Sequence, residues 1–571
     1  MDKGKPAIGY QNFEEVRTGN IFYIDKTDFI REWWERADKV TLITRPRRFG
    51  KTLNMSMVEC FFSNKYADRG DLFQGLSIWK EETYRQVQGT YPVIFLSFAN
   101  VKASTYDKMK YKITELFARL YEQNSYLLDG SILSSNEKKY FRDIQPGMGD
   151  EVASGAVNAI TEFLYRYYGK NVIIVLDEYD TPMQEAWVSG YWGEAAEFFR
   201  GLFNATFKTN AHMERGLITG ITRISKESIF SDFNNLKVVT TTSDAYAVSF
   251  GFTQEEVFQA LEDMELGEEK QGVKKWYNGF AFGSHTDIYN PWSIISFISD
   301  NGKYKPYWSN TSGNGLVNTL IQQGNTNIKR MMEELLKGDS IETALDEEIA
   351  FEHLKDNTNA VWSLLVATGY LKVLHVETIK ANDEQDALYT LSLTNFEVKK
   401  MFRSMVRGWF QSVTSTVYND FIKALLMDDV DSMNEFMNDI ALRIFSNFDT
   451  AKSASSKDAP ERFYHGFVLG LMVELDGRFR LTSNRESGFG RYDVMLTPVD
   501  REKDDAYIIE FKVHKPGKEK DLQETLANAL TQIEAKKYAA HLTAEGIEPG
   551  RIRKYGFAFQ GKACLIGAAV N

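Results

Sequence analysis

The stretch "TLITRPRRFGKT", Thr41 to Thr52, joins a short apolar run to a Gly-Lys-Thr sequence and decides the fold class. The residues that follow, "LNMSMVECFF", repeat apolar side chains at helical spacing from Leu53 to Phe61. A Gly-Lys-Thr between a strand and a helix is the setting of a phosphate-binding loop, because the first N–H groups of a helix attract phosphate. The stretch departs from the pattern G-x-x-x-x-G-K-[ST] at Arg45, where the pattern has glycine.

Pro46 restricts the backbone of Arg45. A residue before proline is displaced from the helical region toward extended conformations. Arg45 is therefore predicted to end the strand without a positive φ, and the turn is predicted to be built by Pro46 and the residues after it. Arg47 and Arg48 add positive charge beside Lys51, which favours phosphate contacts. Clustered arginines are also typical of a solvated face or a nucleic-acid patch, and this alternative stays open.

The second half of a nucleotide site is predicted in "NVIIVLDEYDTP", where an apolar run leads into Asp177 and Glu178. An acidic residue at the carboxyl end of a buried parallel strand can hold Mg²⁺, and the next carboxylate can polarise an attacking water. The Thr52 hydroxyl is the second predicted Mg²⁺ ligand, and Lys51 is predicted to reach the β/γ-phosphates. The alternative is an Asp-Glu pair that simply leaves a strand for solvent.

A further strand is predicted in "GLITGITRIS". Thr219 or Thr222 is placed to sense a γ-phosphate and Arg223 to contact it, although a plain core strand with a solvated arginine fits equally well. With "YPVIFLSF", these strands alternate with amphipathic helices to about residue 235. Such alternation predicts a parallel sheet with helices on both faces.

Helices are predicted to dominate from "FGFTQEEVFQALEDM" onward, with aromatic turns at "WYNGFAFG" and "IYNPWSI". Residues 310–450 are predicted to be almost entirely helical, apart from a strand-like pair near "YLKVLHV" and "ALYTLSL". The polar segment "SASSKDAPE", 453–461, is predicted to be a linker. After it come the predicted strands "FRLTSNRE", "GRYDVMLTPV" and "DAYIIEFKVHK", one helix "LQETLANALTQIEAKKYAAHL", and one last strand "KYGFAFQGKACLIGA".

Bulk composition limits the function classes. A chain of 571 residues is long enough for about three or four domains. Its net charge of -12 argues against a protein that coats nucleic acid, so any such contact must come from local basic clusters. The two cysteines, Cys60 and Cys564, exclude a disulfide framework and a Cys-rich zinc site. The first residues lack the apolar segment of a secretory signal, and runs of 18 apolar residues are absent, so a cytoplasmic protein without a membrane partner is expected.

A second site is predicted near the C-terminus. Asp493 lies in "GRYDVMLTP", and Glu510 and Lys512 in "YIIEFKV" point to one face of a strand while Phe511 points to the other. Two carboxylates and a lysine on adjacent strands can bind Mg²⁺ and position a water for attack on a phosphodiester. Cross-strand charge pairing on a surface strand is the alternative. The apolar context favours a site, because unpaired buried charges are costly. Nearby, "KVHKPGKEK" provides a basic cluster made of Lys512, Lys515, Lys518 and Lys520.

Several separate motifs in about the first 310 residues together resemble the bacterial AAA-ATPase-like family: "YIDKT", "LITRPRRFGKTLNMSMV", "VLDEYDTP", "FGFTQEEV", "WYNGF" and "YNPWSI". The loop with Arg45 is similar to the form of this family. The resemblance implies ATP and Mg²⁺ as cofactors and Glu178 as a catalytic residue. The predicted nucleotide contacts are Arg45, Pro46, Arg47, Arg48, Phe49, Gly50, Lys51, Thr52, Asp177 and Arg223. Tyr23, Asp25 and Lys26 match a family motif whose role the sequence does not reveal.

From about Glu461 onward, the chain resembles the PD-(D/E)XK nuclease superfamily in the form fused to AAA-ATPase-like domains. The resemblance implies a catalytic set made of Glu461, Asp493, Glu510, Lys512 and Gln532, with Asp493 and Glu510 as metal ligands. Tyr538 lies near Gln532, and His465 lies one helical turn past Glu461. A structural and a catalytic role for His465 both stay open.

The predicted fold class is α/β: a P-loop NTPase parallel sheet, a mostly helical lid and middle region, and a C-terminal α/β restriction-endonuclease-like domain. The predicted boundaries are 1–235 for the ATPase-like domain, 236–330 for the lid, 331–452 for the helical linking region and 453–571 for the nuclease-like domain.

Two functions follow from this organisation. The first is an ATP-binding and ATP-hydrolysing protein coupled to a Mg²⁺-dependent nuclease that acts on DNA or RNA. The second is a nucleotide-dependent switch or scaffold whose nuclease-like domain only binds a partner. A homo-oligomer whose copies complete each other's sites is compatible with either, with Arg223 as the candidate finger.

Overall fold

The computed structural model describes residues 4–224, 229–230, 233–309, 315–322, 324–346, 358–377, 387–411, 417–448, 467, 470–471, 473–484, 492–536, 538–561 and 563–569. The chain forms two compact units. The first comprises Met1–Gly313 and Gly338–Lys399, and the second comprises Asn314–Lys337 and Lys400–Asn571.

The described α-helices are α1 (Phe13–Thr18), α2 (Asp28–Arg36), α3 (Lys51–Phe62), α4 (Glu82–Val87), α5 (Tyr106–Gln123), α6 (Ser135–Asp143), α7 (Asp150–Tyr168), α8 (Thr181–Ser189), α9 (Trp192–Phe203), α10 (Gln254–Asp263), α11 (Lys270–Tyr277), α12 (Pro291–Ser299), α13 (Gly315–Gln322), α14 (Thr326–Lys337), α15 (Thr358–Ala367), α16 (Phe396–Gln411), α17 (Val417–Leu426), α18 (Val430–Phe448), α19 (Leu522–Ala535) and α20 (Tyr538–Ala544). The described strands are β1 (Val40–Thr44), β2 (Val93–Ser97), β3 (Val172–Asp177), β4 (Met213–Gly220), β5 (Leu236–Val239), β6 (Asn278–Phe282), β7 (His285–Tyr289), β8 (Ile341–Ala344), β9 (Leu371–Glu377), β10 (Leu388–Leu393), β11 (Phe479–Asn484), β12 (Tyr492–Pro498), β13 (Ala506–Val513), β14 (Ile552–Gln560) and β15 (Ala563–Ala568).

A five-stranded parallel sheet with the order β2-β3-β4-β1-β5 forms the centre of the first unit. Strands β1 and β3 are buried at every position, which explains their uninterrupted apolar sequences. Strand β4 lies between them and pairs with both. The carboxyl ends of β1, β3 and β4 therefore meet at one edge of the sheet. The α/β fold class is confirmed, and β5 is a fifth strand that the sequence did not reveal.

Four predictions of local structure need correction. The aromatic turns are largely an antiparallel hairpin, β6 and β7. The predicted pair β9 and β10 is confirmed, but β8 joins it in a three-stranded sheet, so the described part of the region 310–450 contains one strand more than predicted. The last predicted strand is two antiparallel strands, β14 and β15, which Gly561 separates with a φ of 58°. The predicted long helix is α19 followed by α20. In the last two cases the apolar pattern was right, but a short turn divides it.

The second unit contains a mixed sheet with the order β11-β12-β13-β14-β15, in which β13 and β14 are parallel. Helix α19 packs on one face of this sheet, where Gly556 and Gly567 lie opposite each other. A side chain at either glycine would come within 2.8 Å of Leu526. The glycines therefore allow the helix to approach the sheet closely.

The edge strand β15 is covered by helix α18. The amide of Asn434 donates to the carbonyl of Ile566 and accepts from its N–H group, and Asn438 does the same with Cys564. Two asparagines one helical turn apart thus replace the backbone of a neighbouring strand. This arrangement satisfies a sheet edge that would otherwise be open to another chain.

Glu397, in the first turn of α16, is a fully buried carboxylate. It accepts hydrogen bonds from the Ser293 hydroxyl at 2.9 Å, from the backbone N–H of Trp308 at 2.5 Å and from that of Ser309 at 3.3 Å. Burial raises the pKa of Glu397 to about 7, and the three hydrogen bonds only partly offset this effect. The carboxylate therefore fastens the start of α16 to residues 293 and 308–309 at an electrostatic cost.

We predict that Glu397→Gln changes the pH dependence of stability. The folded protein keeps a proton on Glu397 up to about pH 7, whereas an ordinary glutamate loses it near 4.5. Stability should therefore fall as pH rises between these values, by about 3 kcal/mol in total, and glutamine removes this loss. The thermal midpoint of Glu397→Gln minus that of the wild type should be more positive at pH 8 than at pH 5. A difference independent of pH, like that of the exposed Glu255→Gln control, would contradict the prediction.

Candidate functional site

The loop that the sequence predicts to bind phosphate ends at the predicted position. Gly50 precedes α3 with a φ of 79°, a left-handed conformation that favours glycine, and α3 begins at Lys51. Arg45 has no positive φ, as the sequence predicted. Instead Arg48 has a φ of 63°, and its guanidinium lies 3.6 Å from the ring centre of Trp292. The tight turn that a first glycine normally provides is thus made three residues later and is braced by an aromatic ring.

The ammonium of Lys51 lies inside the loop. It donates to the carbonyl of Arg45 at 2.9 Å and to that of Pro46 at 2.8 Å. The ring of Pro46 lies so close to Gly369 that a side chain there would meet it at 2.8 Å. Burial lowers the pKa of Lys51, and the acidic neighbours led by Glu178 oppose that effect. The buried Lys51 ammonium is therefore stabilised by the main-chain carbonyl groups of the loop.

Asp177 connects three elements at the edge of the sheet. Its carboxylate is fully buried at the end of β3. One oxygen accepts from the Thr52 hydroxyl of α3 at 2.7 Å, and the other accepts from the Thr219 hydroxyl of β4 at 2.5 Å. The structure therefore brings together the two predicted Mg²⁺ ligands, Thr52 and Asp177. Thr219 faces the same carboxylate.

Glu178 adopts a strained backbone conformation, with a φ of 53°. A residue with a side chain in this region costs about 1–3 kcal/mol, and such residues cluster at functional sites. The Thr181 hydroxyl donates to Glu178 at 3.1 Å. Burial raises the pKa of Glu178, and the adjacent Asp177 raises it further. The carboxylate is therefore held in place and made more basic than an ordinary glutamate.

Asp180 and Tyr179 were not among the predicted site residues. Asp180 accepts from the backbone N–H groups of Ile221 and Thr222 at 3.0 and 2.8 Å and from the Thr222 hydroxyl at 2.8 Å. The Tyr179 hydroxyl donates to the Thr222 carbonyl at 2.8 Å. Both residues fix the turn after β4 that carries Arg223. The sequence did contain a signal for Asp180, namely the second aspartate of "DEYDTP". A strand that simply ends at the protein surface does not need this additional carboxylate.

The C-terminal unit places Asp493 directly opposite Glu510 in the antiparallel pair β12 and β13. Of Asp493 only the backbone is described. Glu510 is fully buried, and neither carboxylate oxygen has a hydrogen-bond partner among the described residues. Phe511 packs on Phe557, with ring centres 4.9 Å apart. This packing is consistent with the predicted alternation, in which Phe511 points away from the face of Glu510. A buried carboxylate without a hydrogen-bond partner, as Glu510 is among the described residues, is unusual in a folded protein.

Helix α19 covers the face that carries Glu510, because Glu510 pairs in parallel register with Gly556. Lys512 lies two residues further along β13, on the same face by strand geometry. Gln532 belongs to α19, and its side-chain amide nitrogen is buried without a partner among the described residues. Glu461, His465 and the predicted linker 453–461 lie outside the described residues, and Tyr538 is described by its backbone alone.

Within the described part of the chain, no cluster of three or more His, Cys, Asp or Glu side chains is arranged to hold a metal ion. The Asp493 side chain does not belong to that part. Among the helices that the structure describes, none has the length and apolar content to cross a membrane.

Comparison with known proteins identifies two domain families in the chain. Residues 7–230 match the family described as predicted AAA-ATPase, and residues 459–569 match the PD-(D/E)XK nuclease superfamily. The chain joins an AAA-ATPase-like domain to a PD-(D/E)XK nuclease superfamily domain. It is also 25% identical over 402 residues to the "Uncharacterized protein in vnfD 5'region" of Azotobacter chroococcum mcd 1. The aligned region covers 70% of this chain and 69% of that protein. Both resemblances found in the sequence are confirmed.

Arg45 anchors the loop of the AAA-ATPase-like domain. The side chain is fully buried and donates to the carbonyls of Thr44, Thr240 and Ala245 at 2.9, 2.7 and 3.1 Å. Its guanidinium lies 4.6 Å from the ring centre of Phe282, and burial lowers its pKa to about 9. The guanidinium thus holds the main chain, and a side-chain contact from Arg45 to phosphate stays a prediction.

The lid motifs hold the same AAA-ATPase-like loop from outside. The carbonyl of Arg47 accepts from the Asn290 amide at 3.2 Å and from the Trp308 indole N–H at 3.0 Å. The ring of Phe49 packs edge-on against Phe280, with centres 4.8 Å apart. Asn290 and Phe280 come from "YNPWSI" and "WYNGF", so these motifs form part of the loop's support.

The "YIDKT" motif has a structural role in the AAA-ATPase-like domain. Lys26 donates to both carboxylate oxygens of Glu256 in α10 at 2.7 Å. The Tyr23 hydroxyl contacts the sulfur of Met57 in α3 at 3.3 Å, and Asp25 accepts from the backbone N–H just before α2. The motif therefore connects the N-terminal segment to α2, α3 and α10.

We predict that Arg45→Lys destabilises the AAA-ATPase-like domain. A lysine cannot reproduce the planar fork, so at least one of the buried carbonyls of Thr240 and Ala245 loses its donor, at about 1–3 kcal/mol per group. The thermal midpoint should fall by several degrees relative to the wild type. The control is Arg119→Lys, which alters a side chain that is 65% exposed on α5. Equal midpoints for the two variants would contradict a structural role of Arg45.

Proposed function

We propose that the N-terminal domain binds and hydrolyses ATP and that the C-terminal domain is a divalent-metal-dependent nuclease under its control. The arrangement that supports ATP hydrolysis best is the buried Asp177 between the hydroxyls of Thr52 and Thr219, beside the strained Glu178. It unites the start of α3 with the ends of two central strands. A P-loop ATPase needs its phosphate cradle, metal ligands and base at this same edge.

The residues of this site fit a nucleoside triphosphate with Mg²⁺. The N–H groups at the start of α3 and the buried ammonium of Lys51 attract the phosphates. Thr52 and Asp177 would hold Mg²⁺, which supplies neutralisation of phosphate charge when bound. Glu178, with its raised pKa, accepts a proton from the attacking water. Thr181 keeps the Glu178 carboxylate in place for that transfer.

The nuclease proposal rests on Glu510. A fully buried carboxylate with both oxygens unpartnered among the described residues is costly unless a cation compensates it. Glu510 and the directly opposed Asp493 would hold Mg²⁺, which activates water and stabilises phosphate charge when bound. Lys512 orients that water or stabilises the negative charge that develops on the phosphate. The exposed Lys515, Lys518 and Lys520 lie just beyond β13 and favour a nucleic-acid backbone as substrate.

We predict that ATP turnover requires Lys51 and Glu178 in different ways. Lys51→Ala should weaken nucleotide binding, because it removes the cation that faces the phosphates. Glu178→Gln should keep binding and lower turnover by about 10²–10⁴-fold, because glutamine cannot accept a proton. Binding of a fluorescent ATP analogue and phosphate release separate the two effects, with the exposed Lys80→Ala as control. Wild-type turnover in Lys51→Ala would contradict the proposal.

We predict that cleavage of nucleic acid requires Glu510, Asp493 and Lys512. The full-length protein is incubated with labelled single- and double-stranded DNA and RNA, with Mg²⁺ or Mn²⁺, and with or without ATP. Glu510→Gln, Asp493→Ala and Lys512→Ala should each abolish cutting, whereas the exposed Glu548→Gln should not change it. Cutting that survives the three substitutions would exclude this nuclease site. A wild-type protein that binds nucleotide but never cuts would favour the switch or scaffold.

A further inference from the structure

Trp308 connects the phosphate loop to Glu397. Its indole N–H donates to the carbonyl of Arg47 at 3.0 Å, and its backbone N–H donates to Glu397 at 2.5 Å. The contact with Glu397 is buried, since Trp308 is 3% exposed and Glu397 is fully buried, whereas the contact with Arg47 is partly buried. A displacement of the Arg47 peptide therefore acts on the Glu397 carboxylate through one residue.

Two further contacts fasten the start of α16 in the first unit. Asn395 accepts from the backbone N–H of Val398 at 3.0 Å and donates to the carbonyl of Tyr277 at 3.2 Å. The ring of Phe396 packs edge-on against Trp276, with centres 4.9 Å apart. With Glu397, three consecutive residues hold this end of the helix.

Helix α16 continues beyond Lys399, and its residues from position 400 onward belong to the second unit. Within that unit Arg403 forms an ion pair with Asp476. Arg407 forms one with Glu474 at 3.0 Å and donates to the carbonyl of Val473 at 3.2 Å. These partners immediately precede β11.

Strand β11 leads directly to the nuclease site. Its last residue, Asn484, pairs with Asp493 in the antiparallel register of β11 and β12. Asp493 in turn lies opposite Glu510. A continuous series of contacts within each unit thus runs from the loop to α16, and from α16 to the strand that carries Asp493.

We propose that α16 transmits the nucleotide state of the phosphate loop to β11 and β12, through Trp308 and Glu397 at its start and Arg403 and Arg407 further along. This inference rests on the proposed ATP binding. Lys51 now donates to the carbonyls of Arg45 and Pro46, and phosphate competes for that ammonium. The peptides beside Arg47 then lose a donor and reorient, and Trp308 carries the displacement to α16.

The two ends of this series differ in strength. Glu397 binds three donors in a buried setting, where such hydrogen bonds are strong. The arginine pairs are partly exposed, and pairs of this kind contribute about 0–1 kcal/mol each. Substitution of the arginines should therefore weaken the transmission without unfolding either unit.

The test is hydrogen exchange of the full-length protein, with and without ATP and Mg²⁺. In the wild type, nucleotide should change the exchange of backbone amides in residues 473–484 and 492–498. In the double variant Arg403→Gln/Arg407→Gln, that change should fall to less than half, while a fluorescent ATP analogue still binds. Arg501→Gln, which removes an arginine of another ion pair in the second unit, is the matched control.

A charge swap separates transmission from simple loss of packing. Arg403→Asp alone should reduce the nucleotide-dependent change, and adding Asp476→Arg should restore it. If the wild type binds ATP but residues 473–484 and 492–498 do not respond, or if the double variant responds like the wild type, the inference is overturned and ATP binding stands. If the wild type does not bind ATP, the proposed function fails first, and this inference fails with it.

Discussion

The inward carbonyl groups of the phosphate loop are buried or partly buried and need hydrogen-bond donors from elsewhere in the chain. Much of the first unit is arranged to supply these donors. The Lys51 ammonium donates to the carbonyls of Arg45 and Pro46. The side chains of Trp308 and Asn290 donate to the carbonyl of Arg47. An unpartnered buried carbonyl is costly, so the loop, the lid motifs and the start of α16 are mutually dependent. The loop can therefore omit its usual first glycine, because distant segments define its path.

The two sites contrast in how their carboxylates are satisfied. Both oxygens of Asp177 accept hydrogen bonds from hydroxyl donors, so this carboxylate is held in place by the protein itself. Glu510 has no such partner among the described residues. A carboxylate held by such donors is preorganised, whereas a buried carboxylate without them is costly unless a cation compensates it.

The main elements could be predicted because their patterns are local. Strands β1 and β3 are uninterrupted apolar runs, and the Gly50–Lys51 boundary of α3 follows from glycine chemistry. The opposition of Asp493 and Glu510 agrees with their predicted placement on adjacent strands. The hairpin of β6 and β7 and the division between β14 and β15 could not be found in this way. Their turns are short, and the aromatic residues of β6 bury themselves against Phe49, far away in the sequence.

The sequence by itself determined the alternation of strands and helices around the phosphate loop, the place of that loop and the residue types at both sites, since periodicity and motif spacing are properties of neighbouring residues. Only the tertiary structure decided what Arg45 does: its guanidinium binds the carbonyls of residues 240 and 245, almost two hundred positions later. The same holds for Asp180, which accepts from Ile221 and Thr222, and for Glu397, whose partners lie on other elements. Their roles depend on which distant donors burial brings within reach, and that is set by packing rather than by spacing along the chain.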